Sequence, residues 1–179
     1  MTIYLIRHGK TEANEKHLYC GSTDIPLSQA GKEELCKLKY NIPKVRFLTS
    51  GMKRTKETLQ ILFGDVPYEV DSRFREVDFG IFEMRSYEEL KVTQAYQDWL
   101  TGDNETNVPP DGESGLQMKT RVLSAFSEIR EDSCIITHGG VIAAIMEHLF
   151  PEENKNRYEW QPKQGKGYAI VDGQRYFTL

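Results

Sequence analysis

Apolar residues occur along this chain in short runs of two kinds, and the alternation of the two kinds predicts the fold. Ile3-Tyr4-Leu5-Ile6 is an unbroken β-favouring run, the pattern of a strand covered on both faces. Ser133-Cys134-Ile135-Ile136-Thr137 has the same character, Val45-Arg46-Phe47-Leu48-Thr49 reads as another strand, and Tyr68-Glu69-Val70 is a weaker extended piece. Between them the apolar spacing turns helical. Ser28 predicts the N-cap of a helix reaching about Tyr40, with Leu35 and Leu38 on its stripe. A second helix is predicted from Ser50 to about Phe63, closed by Gly64. The capping box Ser86-Tyr87-Glu88-Glu89 predicts a third, running to about Leu100. Glycine and proline make 101–112 a loop, and a long amphipathic helix follows with Val122, Leu123, Phe126 and Ile129 on one stripe. Gly139-Gly140 opens a helix that ends near Leu149, before Pro151. Between Gly167 and Leu179, two extended segments are joined by Asp172-Gly173, a hairpin signal.

Strands alternating with helices predict the α/β class. The expected architecture is a three-layer α/β/α sandwich with a mostly parallel central sheet and an antiparallel edge strand, one domain over residues 1–179. In such sheets chemistry sits just past the carboxyl ends of the central strands.

Composition narrows the function classes. The 23 Lys+Arg against 27 Asp+Glu give a formal charge of −4, which excludes a general nucleic-acid or anionic-membrane binder but not a local basic pocket. The first residues lack the long apolar stretch of a signal peptide, and Val141–Met146 is too short to span a bilayer. Cys20, Cys36 and Cys134 form no disulfide framework and no close metal-ligand pair, so they read as reduced thiols in a cytoplasmic protein. The glycosylation-like triplet Asn104-Glu105-Thr106 carries no weight without a secretory route.

Two strand ends carry the candidate chemistry. The first delivers Arg7-His8-Gly9 and the late one Thr137-His138-Gly139-Gly140, so neighbouring strands would set both imidazoles at one sheet edge, each followed by glycine. The strand ending Leu48-Thr49-Ser50 brings Arg54 about one helical turn further on. Two histidines and two arginines converging at helix N-termini form an electropositive pocket sized for a tetrahedral dianion.

These residues lie in segments with a recognisable order. Arg7 to Asn14 fits Arg-His-Gly-x-Thr-x-x-Asn; Gly21-Ser22-Thr23-Asp24-Ile25-Pro26-Leu27-Ser28-Gln29-Ala30-Gly31 follows; Ser50, Arg54 and Thr58 fit Ser-x-x-x-Arg-x-x-x-Thr. Arg75-Glu76-Val77-Asp78-Phe79-Gly80, Pro110-Asp111-Gly112-Glu113-Ser114 and Thr137-His138-Gly139-Gly140 complete the series. In this order the segments resemble the histidine phosphatase (phosphoglycerate mutase-like) superfamily, and within it the bacterial branch of α-ribazole and broad-specificity phosphatases. The resemblance implies that His8 attacks phosphorus through one ring nitrogen while a backbone carbonyl holds the other. It implies that Arg7 and Arg54 grip phosphoryl oxygens, that His138 donates to the same oxygens, and that Glu76 serves as general acid and then as base toward water. Asn14, Thr11, Thr23 and Gly139 are the implied secondary substrate-binding positions. The implied partner is a small phosphorylated substrate, with no metal, no cofactor, no nucleic acid and no membrane; the oligomeric state stays open, a dimer included.

Other residues have plainer readings. Glu83 and Glu12 are rivals to Glu76 for the acid role. Glu113 reads equally as a helix-dipole partner, Arg121 as an ion-pair partner on the same helix, and Trp99 and Tyr96 as helix packing. His17 and His148 lack a metal spacing, Cys20 reads as a surface thiol, and Lys163, Lys166 and Arg157 as a solvated turn. Lys10, Tyr19, Arg85 and Trp99 are candidates for the border of a leaving-group pocket. Two departures from the family matter. Met84 stands where phosphatase relatives usually have glycine, which adds bulk near the mouth. Val77-Asp78-Phe79 lacks the Arg and Tyr with which glycolytic mutases hold a substrate carboxylate. The alternatives to a phosphomonoesterase are phosphoglycerate mutase-type transfer and a silent module that binds a phosphoryl ligand.

Overall fold

Six strands form the centre of the molecule: β1 (Thr2–Arg7), β2 (Arg46–Thr49), β3 (Tyr68–Val70), β4 (Ser133–Thr137), β5 (Gly167–Val171) and β6 (Arg175–Thr178), in the order β3-β2-β4-β1-β5-β6. The first four are mutually parallel, and β5 and β6 run antiparallel as the closing hairpin. The helices are α1 (Glu12–Glu15), α2 (Gln29–Cys36), α3 (Lys53–Phe63), α4 (Tyr87–Leu90), α5 (Gln94–Leu100), α6 (Gly115–Phe126), α7 (Gly139–Leu149) and α8 (Arg157–Trp160). This computed structural model describes residues 1–103 and 105–179; Asn104, part of the loop and of the glycosylation-like triplet, lies outside the described residues. Among the described residues no helix is long and apolar enough to cross a membrane.

Successive residues of a strand point to opposite faces, and the central strands are apolar on both. Ile3, Leu5 and Ile135 pack beneath α6 and α7 with Met118, Val122, Val141 and Ile145. Ile6, Cys134 and Ile136 face the other way, against Leu59 of α3 and the half-buried Tyr40 and Phe47. All of Gly139 to Met146 is buried, which explains why α7 is apolar around its whole circumference. A separate aromatic cluster of Phe82, Leu90 and Tyr96, flanked by Tyr19, Phe79 and Trp99, sits under α4 and α5. Trp99 and Tyr96 therefore do pack that region.

The α/β class, the mostly parallel sheet and the terminal hairpin stand as expected. Asp172 and Gly173 both take positive φ, 52° and 67°, as a tight primed turn requires. Three boundaries differ. Helix α2 stops at Cys36 rather than Tyr40, because the chain turns there and returns Tyr40 and Ile42 to the core beside α3. Helix α3 starts at Lys53, not Ser50, because Gly51 turns the chain at φ +83° and Met52 takes the cap position. The predicted helix 86–100 is two helices, α4 and α5, broken at Lys91 to Thr93, where the Thr93 hydroxyl donates to the Leu90 carbonyl at 2.7 Å.

Candidate active site

Parallel pairing sets the two histidines side by side. β1 and β4 are in register through Arg7 and Thr137, and the His8 amide extends the ladder by donating to the Thr137 carbonyl at 2.9 Å. The next residues on both strands, His8 and His138, consequently stand at one sheet edge with ring centroids 5.1 Å apart. Both rings are buried, as is Arg54. The rigidity of the sheet thus fixes the side chains that would do the chemistry.

The tautomer of His8 follows from its partner. Nδ1 lies 2.7 Å from the Gly9 carbonyl oxygen, which only accepts, so Nδ1 carries the proton and Nε2 presents its lone pair. Gly9 is itself held, its amide donating to the Thr58 hydroxyl at 3.0 Å, which in turn donates to the Arg54 carbonyl at 2.6 Å. Burial, and then the guanidiniums of Arg54 and Arg7, hold the His8 pKa well below the usual imidazole range, against a smaller opposing effect of the Gly9 bond. The ring is therefore neutral at physiological pH, with the Nε2 lone pair uncommitted.

His138 is held differently. Its Nε2 lies 2.8 Å from the Ser50 hydroxyl, which lies 3.1 Å from the Thr55 hydroxyl, whose proton goes to the Met52 carbonyl at 2.8 Å. Because the Thr55 proton is committed, Ser50 donates to Thr55 and accepts from His138, which fixes Nε2–H. The other nitrogen, Nδ1, is buried without a protein partner, as is Nε of Arg7. Burial first, then Arg54, His8 and Arg7, hold His138 well below its ordinary pKa. The buried Arg7 Nε–H is a donor that an oxyanion would complete, and His138 Nδ1 becomes a second one where its ring is protonated.

Arg7 is anchored from the far side, one guanidinium N–H donating to the Pro162 carbonyl at 2.8 Å. Arg54 donates to the carbonyls of Thr23 and Gly21 at 2.8 and 2.7 Å, which leaves further N–H groups on the same fork. Glu76 accepts from the Gly140 amide at 2.9 Å and from its neighbour Val77 at 3.0 Å. A Cβ at Gly140 would sit 2.4 Å from a Glu76 oxygen, so this contact requires glycine. Glu76 approaches the site from a segment of single turns, 71–86, rather than from a strand end. The carbonyls of Arg73, Arg75 and Glu76 are all held by Arg121, which also pairs with Glu113, so the predicted ion pair braces the loop that carries Glu76.

The secondary positions fall into two groups. Thr11 and Asn14 form a capping box at α1, and Asn14 lines a cleft of about 460 Å³ with Arg7, Lys10, His17 and Gln164. The Thr23 hydroxyl donates to Glu83 and its carbonyl holds Arg54, so its geometry is that of a support for Arg54. Gly139 lies against Arg7 and Gln161, where a Cβ would be 3.1 Å from the Arg7 Nε. Glu76 lines a second cleft of about 310 Å³ with Ser22, Arg75, Asp78 and Arg121. Of the proposed leaving-group border, only Lys10 lines a cleft beside Arg7; Tyr19 and Trp99 belong to the aromatic cluster, and Arg85 reaches the Glu89 carbonyl. Glu12 is exposed and pairs with Lys16, which removes it as a rival acid. Cys20 is half-buried, and its thiol is pushed up by burial, against an opposing effect of the Arg54 charge.

Several contributors carry no strong sequence signal. Ser50 and Thr58 fall inside the quoted pattern, but their bonds to His138 and Gly9 do not follow from it. Pro162 acts through a carbonyl that any residue would supply. Met84 is the clearest reversal of emphasis. Its backbone lies in the left-handed region at φ +59°, so the glycine that the resemblance implies here would answer a conformational demand, and the methionine meets that demand under strain with its side chain exposed.

Comparison with known proteins bears on the family. The model of the histidine phosphatase superfamily (branch 1) matches residues 3–173. The chain is 30% identical over 192 aligned positions to the adenosylcobalamin/alpha-ribazole phosphatase of Salmonella typhimurium, covering 100% of this chain and 94% of that protein. It is 27% identical over 159 positions to "Probable phosphoglycerate mutase GpmB" of Salmonella arizonae, covering 82% of this chain and 73% of that protein. Among solved structures, TTHB049 from Thermus thermophilus is similar at a TM-score of 0.79 and 25% identity, covering 99% of this chain and 96% of that one.

Proposed function

The chain belongs to the histidine phosphatase superfamily, and from that premise we propose that it is a phosphomonoesterase that hydrolyses a small phosphorylated metabolite through a phosphohistidine on His8. One observation carries the reading. His8 is a buried, neutral imidazole whose Nδ1–H is committed to a carbonyl, with a bare Nε2 beside two anchored guanidiniums. In this scheme Nε2 attacks phosphorus and the bond to the leaving oxygen breaks. Glu76 gives that oxygen a proton, and Arg7, Arg54 and His138 stabilise the charge on the equatorial oxygens. A phosphate dianion beside His138 favours the imidazolium and turns its Nδ1 into a donor. Glu76, now a carboxylate, takes a proton from water as water attacks the phosphohistidine, and inorganic phosphate leaves. Asn14 and Thr11 order the loop that brings Asn14 to the cleft, and Thr23 and Gly139 keep Arg54 and Arg7 in place.

Transfer to water is favoured over mutase-type transfer by the segment after Glu76. Phe79 is turned into the aromatic cluster, 5.1 Å from the Tyr19 ring, and neither it nor Val77 can hold a substrate carboxylate. The test is release of inorganic phosphate from p-nitrophenyl phosphate and a panel of phosphometabolites, α-ribazole phosphate first, by the wild type and by His8→Ala. Turnover by the wild type that vanishes in His8→Ala supports the reading. Unchanged turnover in that variant, or phosphoglycerate isomerised faster than phosphate is released, overturns it.

A further inference from the structure

Glu83, left by the sequence as a rival acid, has a different occupation. One carboxylate oxygen accepts from the amides of Gly21, Ser22 and Phe79, each at 3.0 Å. The other accepts from the amides of Gly21 and Thr23 at 3.1 and 3.2 Å and from the Thr23 hydroxyl at 2.6 Å. A carboxylate that gathers this many donors is an anchor, since no lone pair is left to serve a substrate. The turn that it gathers is the one whose carbonyls hold Arg54.

The coupling runs through a single peptide unit. The Gly21 carbonyl accepts from Arg54 at 2.7 Å, and the N–H of the same peptide, on Ser22, donates to Glu83. That peptide dipole thus lies between a guanidinium and a carboxylate and is aligned with both, so each charge strengthens the bond at the other end. The turn has little freedom to adjust, because a Cβ at Gly21 would stand 1.6 Å from the Val77 carbonyl oxygen. The seat of Glu83 is fixed as well. The Met84 amide donates to the Tyr19 carbonyl at 2.7 Å, the Tyr19 amide donates to the Arg85 carbonyl at 3.0 Å, and Leu18 bridges Ser86 in antiparallel fashion.

We propose that Glu83 is the positioning residue of the phosphate site, its carboxylate aiming Arg54 through the 21–23 turn. The inference rests on the reading of Arg54 as a phosphate ligand, and its test is a double-mutant cycle read by binding. In Glu83→Gln the amide NH₂ must face donors on one side or the other, so the turn shifts while the volume is kept. Calorimetric affinity for inorganic phosphate is expected to fall by about tenfold in Glu83→Gln, and to be the same in Arg54→Met with and without Glu83→Gln. The kcat/KM for p-nitrophenyl phosphate follows the same pattern. Glu83→Asp, which keeps the charge on a shorter arm, recovers part of the loss. Wild-type affinity in Glu83→Gln overturns the proposal, as does an equal loss in the Arg54→Met background. If Glu83→Gln fails to fold, Thr23→Val removes one donor from the anchor, and an unchanged phosphate affinity there overturns it equally. Binding is read without turnover, so a protein that binds phosphate and hydrolyses nothing sinks the hydrolase reading alone.

Discussion

The two sides of the site are built by different means. His8 and His138 stand at the ends of β1 and β4, where residues such as Leu5, Ile6, Ile135 and Ile136 are fully buried and the strand register places the imidazoles. Glu76 and Glu83 stand on the 71–86 segment, whose two three-residue 3₁₀ turns are pinned by the buried Phe74 and Phe82, while the two carboxylates are held by separate polar contacts: Arg121 and Glu113 behind Glu76, the Gly140 amide in front, the 21–23 turn around Glu83. The first region takes its precision from apolar packing, about 1.5–3 kcal/mol for each fully buried aliphatic side chain. The second takes it from charge-assisted hydrogen bonds of about 1.5–3 kcal/mol each, the more so the less water reaches them. A nucleophile gains from immobility, whereas a group that serves first as acid and then as base must let a leaving group out and water in. The difference teaches that substitutions of the polar side chains in the 71–86 segment, as distinct from the buried Phe74 and Phe82, can alter chemistry while leaving the fold intact.

The largest effect expected from separating the two regions is on turnover in Glu76→Gln. For alkyl phosphates kcat should fall by about 10²–10⁴, the range of general acid–base catalysis. With p-nitrophenyl phosphate, whose leaving group needs no proton, the first step should survive and the phosphoenzyme should accumulate. Equal losses of kcat/KM, which reports the first step alone, on both substrates would remove Glu76 from the acid role. Next comes a pH effect confined to the histidine side. Both buried imidazoles have pKa values held well below 6.5, so below that pH the unfolded chain binds protons that the folded one refuses. The stability that they contribute is present above pH 6.5 and is lost as pH falls toward their folded values, by about 1.4 kcal/mol per pH unit for each ring. Urea midpoints between pH 7 and 5 should show this slope, reduced by half in His8→Gln, and kcat/KM should have no titration step at 6.5 from His8. The smallest effect belongs to the loop side. Met84→Gly relieves a left-handed backbone and should raise stability by about 1 kcal/mol, less the entropy that glycine loses on folding. A drop in the urea midpoint would contradict it.

Legibility in the sequence follows the same division. Ile3 to Ile6 and Ser133 to Thr137 announce central strands, and the Arg-His-Gly and His-Gly-Gly that follow them locate the imidazoles, because burial and period are written in side-chain types. The Asp172-Gly173 turn was legible for the same reason. The start of α3 was not, since the helical pattern reads from Ser50 until Gly51 takes a positive φ and leaves the serine hydroxyl to His138. Nor were the Pro162 carbonyl behind Arg7 or the amides of residues 21–23 around Glu83. Backbone donors and acceptors are alike at every position, so only the fold decides which of them meet a charged side chain.

The central claim concerns which imidazole takes the phosphoryl group when two lie 5.1 Å apart. The most direct measurement is peptide mapping of the acid-labile, alkali-stable phosphoryl label trapped during turnover of p-nitrophenyl phosphate by Glu76→Gln. The account predicts the label on His8, through Nε2, and none in a His8→Ala background. A label on His138, or turnover with no protein label, would contradict it.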